Sequence, residues 1–149
     1  VIVLDSFAVL ALLKDEPAAA QVQQLVESDE DVALTAFGVA EVLDHLVRLV
    51  GAEEDEAVLD LAQLGLSSAS PIEVGVAMRS GLLRARHYHR TNRAVSMADC
   101  VAAETARSAD ARLASADPQL LDLCKDEGIA VIPLPDSAGR TWSPQKAGG

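Results

Sequence analysis

Two kinds of segment alternate along the chain. Short continuous apolar runs occur at Val1–Leu4, Asp31–Thr35, Ala111–Ser115 and Ile129–Ile132. Their length and lack of polar alternation suit strands buried on both faces. Longer stretches of helical period lie between them. Ser6–Leu13 reads as a short apolar helix. Ala18–Glu27 reads as a second helix, with Val22, Leu25 and Val26 inward, entered through Asp15-Glu16-Pro17, where a missing proline N–H costs nothing. From Phe37 to Val50 the apolar positions Val39, Val42, Leu43, Leu46, Val47 and Val50 form one stripe, with Glu41, Asp44, His45 and Arg48 opposite. Gly51 stops that helix. Glu53-Glu54-Asp55-Glu56 opens the next, with acids matched to its positive end, and it runs to about Gly65. Ser67–Ser70 reads as loop and Pro71–Val74 as a weak strand. Helices follow at Val76–Tyr88, Ser96–Ala109 and Gln119–Asp126, the last stopped by Gly128. His89–Ala94 is a polar connection.

This alternation predicts an α/β fold, a three-layer α/β/α sandwich with a central parallel sheet. A length of 149 residues suits one domain. We place that domain at residues 1–135 and expect 136–149, polar and marked by Gly, Pro and Ser, to be a loosely held tail. With two Phe, one Tyr and one Trp, the core must be aliphatic. No apolar run approaches the roughly 18 residues that span a bilayer, and no signal peptide is visible, so a cytoplasmic protein without a membrane partner is expected. The chain starts at Val1 without an initiating Met, so trimming at its start is assumed. Two cysteines without a CxxC pair suggest neither a disulfide framework nor zinc. The net charge of −11 opposes nucleic acid on average, so any RNA contact must depend on how charge is distributed.

Four acids carry the candidate chemistry. Asp5 and Asp117 directly follow predicted strands, Glu41 lies a helical turn beyond the strand ending near Thr35, and Asp99 sits in the first turn of the helix begun by Ser96. Open parallel sheets bind ligands outside the carboxyl ends of their strands, which places all four acids on one edge. Unit charges ~4 Å apart repel by about 4 kcal/mol at an effective dielectric of ~20. Mg²⁺ or Mn²⁺ relieves this, because hard cations prefer carboxylate oxygen. Each acid also has a structural explanation. Asp5 suits an N-cap, Asp117-Pro118 a cap followed by a favourable proline, Ser96-x-x-Asp99 a capping box, and Glu41 a polar helix face. An acid can serve both roles, and the pattern leaves both open.

Val3-Leu4-Asp5-Ser6, Val39-Ala40-Glu41-Val42, Ser96-Met97-Ala98-Asp99-Cys100 and Ser115-Ala116-Asp117, in this order, resemble the successive motifs of PIN-domain ribonucleases. More specifically they resemble the VapC toxins of bacterial toxin–antitoxin pairs, over residues 1 to about 134. The resemblance implies an endoribonuclease dependent on one or two Mg²⁺ or Mn²⁺ ions that leaves a 5′-phosphate and a 3′-hydroxyl. Asp5, Glu41, Asp99 and Asp117 become its catalytic, metal-binding acids. Asp5 and Asp99 are the ligands of choice, Asp117 binds directly or through water, and Glu41 binds a second ion or orients the attacking water. Ser6 and Ser115 match positions with supporting hydrogen bonds. A homodimer and a VapB-like antitoxin are the implied protein partners.

Residues 79–93 contain Arg79, Arg84, Arg86, Arg90 and Arg93, two histidines and no acid, immediately before Asp99. Arg84, Arg86 and Arg90, with Tyr88 available to stack on a base, are candidate RNA contacts beside the acids. Alternatively these arginines form a solvated face paired with acids elsewhere. His45, His87 and His89 read as surface histidines, and Cys100 as buried. The principal rival function is a non-catalytic PIN-like or flavodoxin-like protein-binding module whose acids are only caps. A response regulator lacks its DxD and late lysine here, and no GxGxxG follows Leu4 for a dinucleotide site.

Overall fold

Four strands, β1 (Ile2–Leu4), β2 (Val32–Leu34), β3 (Arg112–Ser115) and β4 (Val131–Pro133), pair in parallel in the order β2-β1-β3-β4. The structure, a computed structural model, describes residues 1–67 and 71–144. Parallel neighbours need long crossovers, and helices supply them: α1 (Ser6–Leu13), α2 (Ala19–Val26), α3 (Ala36–Asp44), α4 (Glu54–Ala62), α5 (Val74–His87), α6 (Met97–Ser108) and α7 (Pro118–Asp126).

The pleat sorts these helices onto two faces, because successive strand residues point to opposite sides. Ile2, Leu4 and Ala114 join one apolar cluster with Val9, Val22 and Val42 of the first three helices. Val3 and Leu113 join the other, with Leu83, Ala103 and Leu120 of the last three. The sheet is thus buried on both sides, as the continuous apolar runs require.

Three strands pass directly into helix caps at the carboxyl edge. Asp5 caps α1 by accepting from the Ala8 N–H, Thr35 caps α3 by accepting from Gly38, and Asp117 caps α7 by accepting from Gln119. The edge therefore collects positive helix ends as well as carboxylates. Gly38 lets α3 sit close to β2, since a Cβ there would collide with the Leu34 side chain.

Several expectations shift. Pro71–Glu73 has no regular structure and Val74 already begins α5, so no strand forms there. Pro71 has no N–H to give a ladder, and Ser67 instead makes an isolated parallel bridge to Ala33. Ser68–Ser70, expected as loop, lie outside the described residues. The expected helix 37–50 is α-helical only to Asp44 and continues as π-helix over His45–Val50. An i→i+5 register turns the apolar face, and Val50, placed in the inward stripe by its spacing, is 51% exposed. The stretch expected to be a loose tail is tied down over much of its length. Pro135 pairs with Thr141, and the Trp142 indole N–H donates to Asp122 of α7 at 2.9 Å. Residues 145–149 lie outside the described ones.

Candidate active site

Asp5 is the most constrained of the acids. Its main chain leaves β1 with the Asp5 N–H donating to the Ala114 carbonyl, and its carboxylate caps α1 at 2.8 Å from the Ala8 nitrogen. It is 7% exposed. Burial is the largest influence on its acidity and lifts its pKa from 3.8 to about 7. Hydrogen bonds from the Ser115 hydroxyl and the Ala8 N–H oppose the rise, while the Asp99 and Asp117 charges add to it. Ser115, itself fully buried, accepts from the Asp117 N–H at 3.0 Å and so links Asp5 to Asp117.

Asp99 occupies the third position of α6 in a complete capping box. Its carboxylate accepts from the Ser96 N–H at 2.8 Å, and its own N–H donates to the Ser96 hydroxyl at 3.0 Å. Its pKa is raised, by desolvation first, with the Asp117 and Glu41 charges contributing against the Ser96 hydrogen bonds. Asp117 projects from the β3–α7 junction. Asp5, Asp99 and Asp117 line one open cleft of about 310 Å³, with Ser6 on its wall. Glu41, half-buried on α3, does not line that cleft and reaches it only through its field on Asp99. Three of the four predicted acids thus share one cleft, and Glu41 stands outside it. Among the described residues no group of three or more His, Cys, Asp or Glu side chains is arranged so that it could hold a metal ion as it stands.

The donor set still fits a small hard cation. Burial beside other carboxylates disfavours the charged form of Asp5, nearby positive charge would favour it, and among the described residues no Lys or Arg lines the cleft. Mg²⁺ binds through one or two carboxylates while keeping several waters, so a wide acidic cleft suits it better than a tight cage. A larger groove of about 370 Å³, between the π-helical turn and α4, offers only apolar walls, Glu54 and the satisfied Arg48–Asp44 ion pair.

A fifth acid was missed. Asp136 lines the same cleft with Ser137. Only the polar composition of residues 136–149 was visible in the sequence, and nothing there signals a turn that reaches the cleft.

The profile of the PIN domain matches residues 2–126. The chain belongs to the PIN-domain family. No curated protein sequence matches it, but solved structures share the PIN fold. FitAcB from Neisseria gonorrhoeae is 21% identical with a TM-score of 0.62, covering 88% of this chain and 96% of that one. VapBC2 from Rickettsia felis, bound to a DNA fragment from its promoter, is 13% identical with a TM-score of 0.66, over 88% and 96%. A toxin–antitoxin complex from Klebsiella pneumoniae is 16% identical with a TM-score of 0.60, over 80% and 88%.

In this PIN domain the arginine-rich segment is mostly occupied. Arg86 and Arg107 pair with Glu127, and the His87 Nε2 lies 2.7 Å from the same carboxylate, which these hydrogen bonds, His87 first, hold near a pKa of about 2. Arg93 pairs with Asp126 and Arg79 with the buried Glu104. Arg84 donates to the Val95 carbonyl and stacks 4.3 Å from the Tyr88 ring centre. Arg90 is exposed on the 89–93 turn, which rests on α7 through the Gln119–Thr91 hydrogen bond, two residues beyond Asp117. Of the candidate RNA contacts, Arg86 is committed to an acid, while Arg84, Tyr88 and Arg90 form no ion pair among the described residues.

Proposed function

We propose that the protein is a Mg²⁺- or Mn²⁺-dependent endoribonuclease acting as the toxin of a VapBC-type toxin–antitoxin pair. The observation that carries this reading is the buried, charge-stressed Asp5, which shares with Asp99 and Asp117 a cleft lined by no Lys or Arg among the described residues. Asp5, Asp99 and Asp117 would hold the ion, with Glu41 toward its outer side. When bound, it supplies positive charge beside a scissile phosphate and makes water a better nucleophile. Ser115 orients Asp5 and Asp117 against each other. The Ser96 N–H fixes one oxygen of Asp99, so its other oxygen is free to face the ion. Ser6, at the α1 terminus, is placed to hydrogen-bond a phosphate oxygen or a water. Chelation should abolish RNA cleavage, and Mg²⁺ or Mn²⁺ should restore it; cleavage that persists in EDTA would remove the metal from the mechanism.

Support for the toxin role comes from relatives that share the fold and are themselves parts of toxin–antitoxin complexes. Exposed apolar residues support the partners. Val74, Met78 and Leu82 recur every fourth residue along the outside of α5, and Leu49, Val50, Val58 and Leu59 are exposed around the π turn and α4. A homodimer and a VapB-like antitoxin would cover these faces. No described helix is long and apolar enough to cross a membrane, and a cytoplasmic toxin is proposed.

RNA contact falls to Arg84 and Arg90, with Tyr88. Replacing either arginine with Ala should weaken RNA binding and make its salt dependence shallower, by about 0.7 in the log–log slope for each phosphate no longer neutralised. Arg86→Ala should leave the slope unchanged and lower stability instead. Filter-binding titrations across a salt series separate these outcomes, and an unchanged slope for both Arg84 and Arg90 would take this segment out of the RNA path.

The capping geometry favours one second reading, because Asp5, Asp99 and Asp117 each satisfy a helix start. In that reading the protein is a non-catalytic binding module, and Mn²⁺ gives no stabilisation that depends on Asp5 and Asp99.

A further inference from the structure

The cleft that gathers the acids is only partly acidic. Its lining also includes Phe7, Ala116, Pro118 and Ser137, which a metal site does not need. Phe7 is the second residue of α1 and packs partly buried against the core, so its ring is held from below while it faces the cleft. Pro118 opens α7 and is exposed.

Ser137 belongs to a built wall. One Asp136 carboxylate oxygen accepts from both the Ala138 and Arg140 N–H groups at 2.9 Å, and the Asp136 N–H donates to the Arg140 carbonyl at 2.8 Å. The Pro135–Thr141 bridge closes the turn, and the Trp142–Asp122 hydrogen bond ties it to α7. The Ser137 hydroxyl donates to Glu16 at 3.3 Å, which leaves its lone pairs to accept from a ligand.

We propose that Phe7, Pro118 and Ser137 form a nucleobase subsite. One unpaired base of the RNA stacks on the Phe7 ring, Pro118 extends the apolar surface, and the Ser137 hydroxyl accepts from an amino or imino N–H of that base. The adjoining phosphate is thereby set over Asp5, Asp99 and Asp117. This rests on the nuclease reading of the cleft.

The test uses Asp99→Asn protein, expected to bind RNA without cutting it, and short unpaired oligoribonucleotides with 2-aminopurine at successive positions. Stacking on Phe7 should quench the fluorophore at one position. Adding Phe7→Leu, which keeps apolar bulk but loses the ring, should abolish that quench and weaken binding about tenfold. An abasic nucleotide at that position should cost the Phe7 protein the same factor and the Phe7→Leu protein nothing further. Ser137→Ala should change which base is preferred there. Equal affinities with and without the ring and no position-specific quench would overturn the subsite. Thermal shifts with Mn²⁺, measured in otherwise wild-type and Phe7→Leu proteins, distinguish the two ideas. Equal stabilisation with no stacking signal sinks only the subsite, whereas no stabilisation in the wild type sinks the nuclease reading beneath it.

Discussion

Asp99→Asn should lower Mg²⁺- or Mn²⁺-dependent RNA cleavage by about a thousandfold or more, as expected when a charge-stabilising group at a reacting phosphate is lost. The fold should survive. The Asp99 carboxylate accepts from the Ser96 N–H in the capping box of α6, and an Asn carbonyl oxygen can accept the same bond. A change within about 1 kcal/mol is therefore expected on denaturation. Growth inhibition on induction should vanish together with cleavage. Full activity in this variant, with the helix intact, would mean that Asp99 is a cap and nothing more.

Asp5→Asn should make the metal-free protein more stable at pH 8 while removing its stabilisation by Mn²⁺. Because the native pKa lies above the unfolded value, the native state binds the proton more tightly than the unfolded chain does. Stability from Asp5 is then fully present below pH 3.8 and lost as pH rises to and through about 7. A rise of about three pH units corresponds to at most about 4 kcal/mol, since each unit is worth 1.36 kcal/mol. Asn keeps the cap on Ala8 and never ionises, so urea midpoints of the variant should fall less between pH 5 and pH 8 than those of the wild type, the raised pKa of Asp99 accounting for part of the remainder. Adding Mn²⁺ at pH 8 should restore the wild type and leave the variant unmoved. A wild type whose stability rises over this interval without metal would show that Asp5 is not held protonated by its burial.

Much of this protein is written in local signals. The short apolar runs required a sheet covered on both faces, and the residues ending β1 and β3 had to lie at its carboxyl edge. Asp5, Asp99 and Asp117 could be located because the same atoms that cap helices are the ones a cation would use. The π-helical turn at His45–Val50 was invisible, because its residues continue the apolar pattern of an α-helix while their backbone bonds change. Pro71–Val74 looked strand-like by composition, but a strand needs a paired neighbour, and the ladder goes to Ser67.

By itself, then, the sequence determined the alternation of strands and helices, the family pattern and the identity of the acids at the sheet edge. These follow from residue chemistry within a few positions along the chain. Only the tertiary structure decided that Asp5 is buried enough to resist ionisation, that Glu41 stands outside the cleft, and that Arg79, Arg86 and Arg93 are committed to Glu104, Glu127 and Asp126. It alone brought Asp136 and Ser137 from beyond the last strand to the cleft wall. Desolvation and ion pairing sum over neighbours far apart in the chain, and no local pattern encodes that sum.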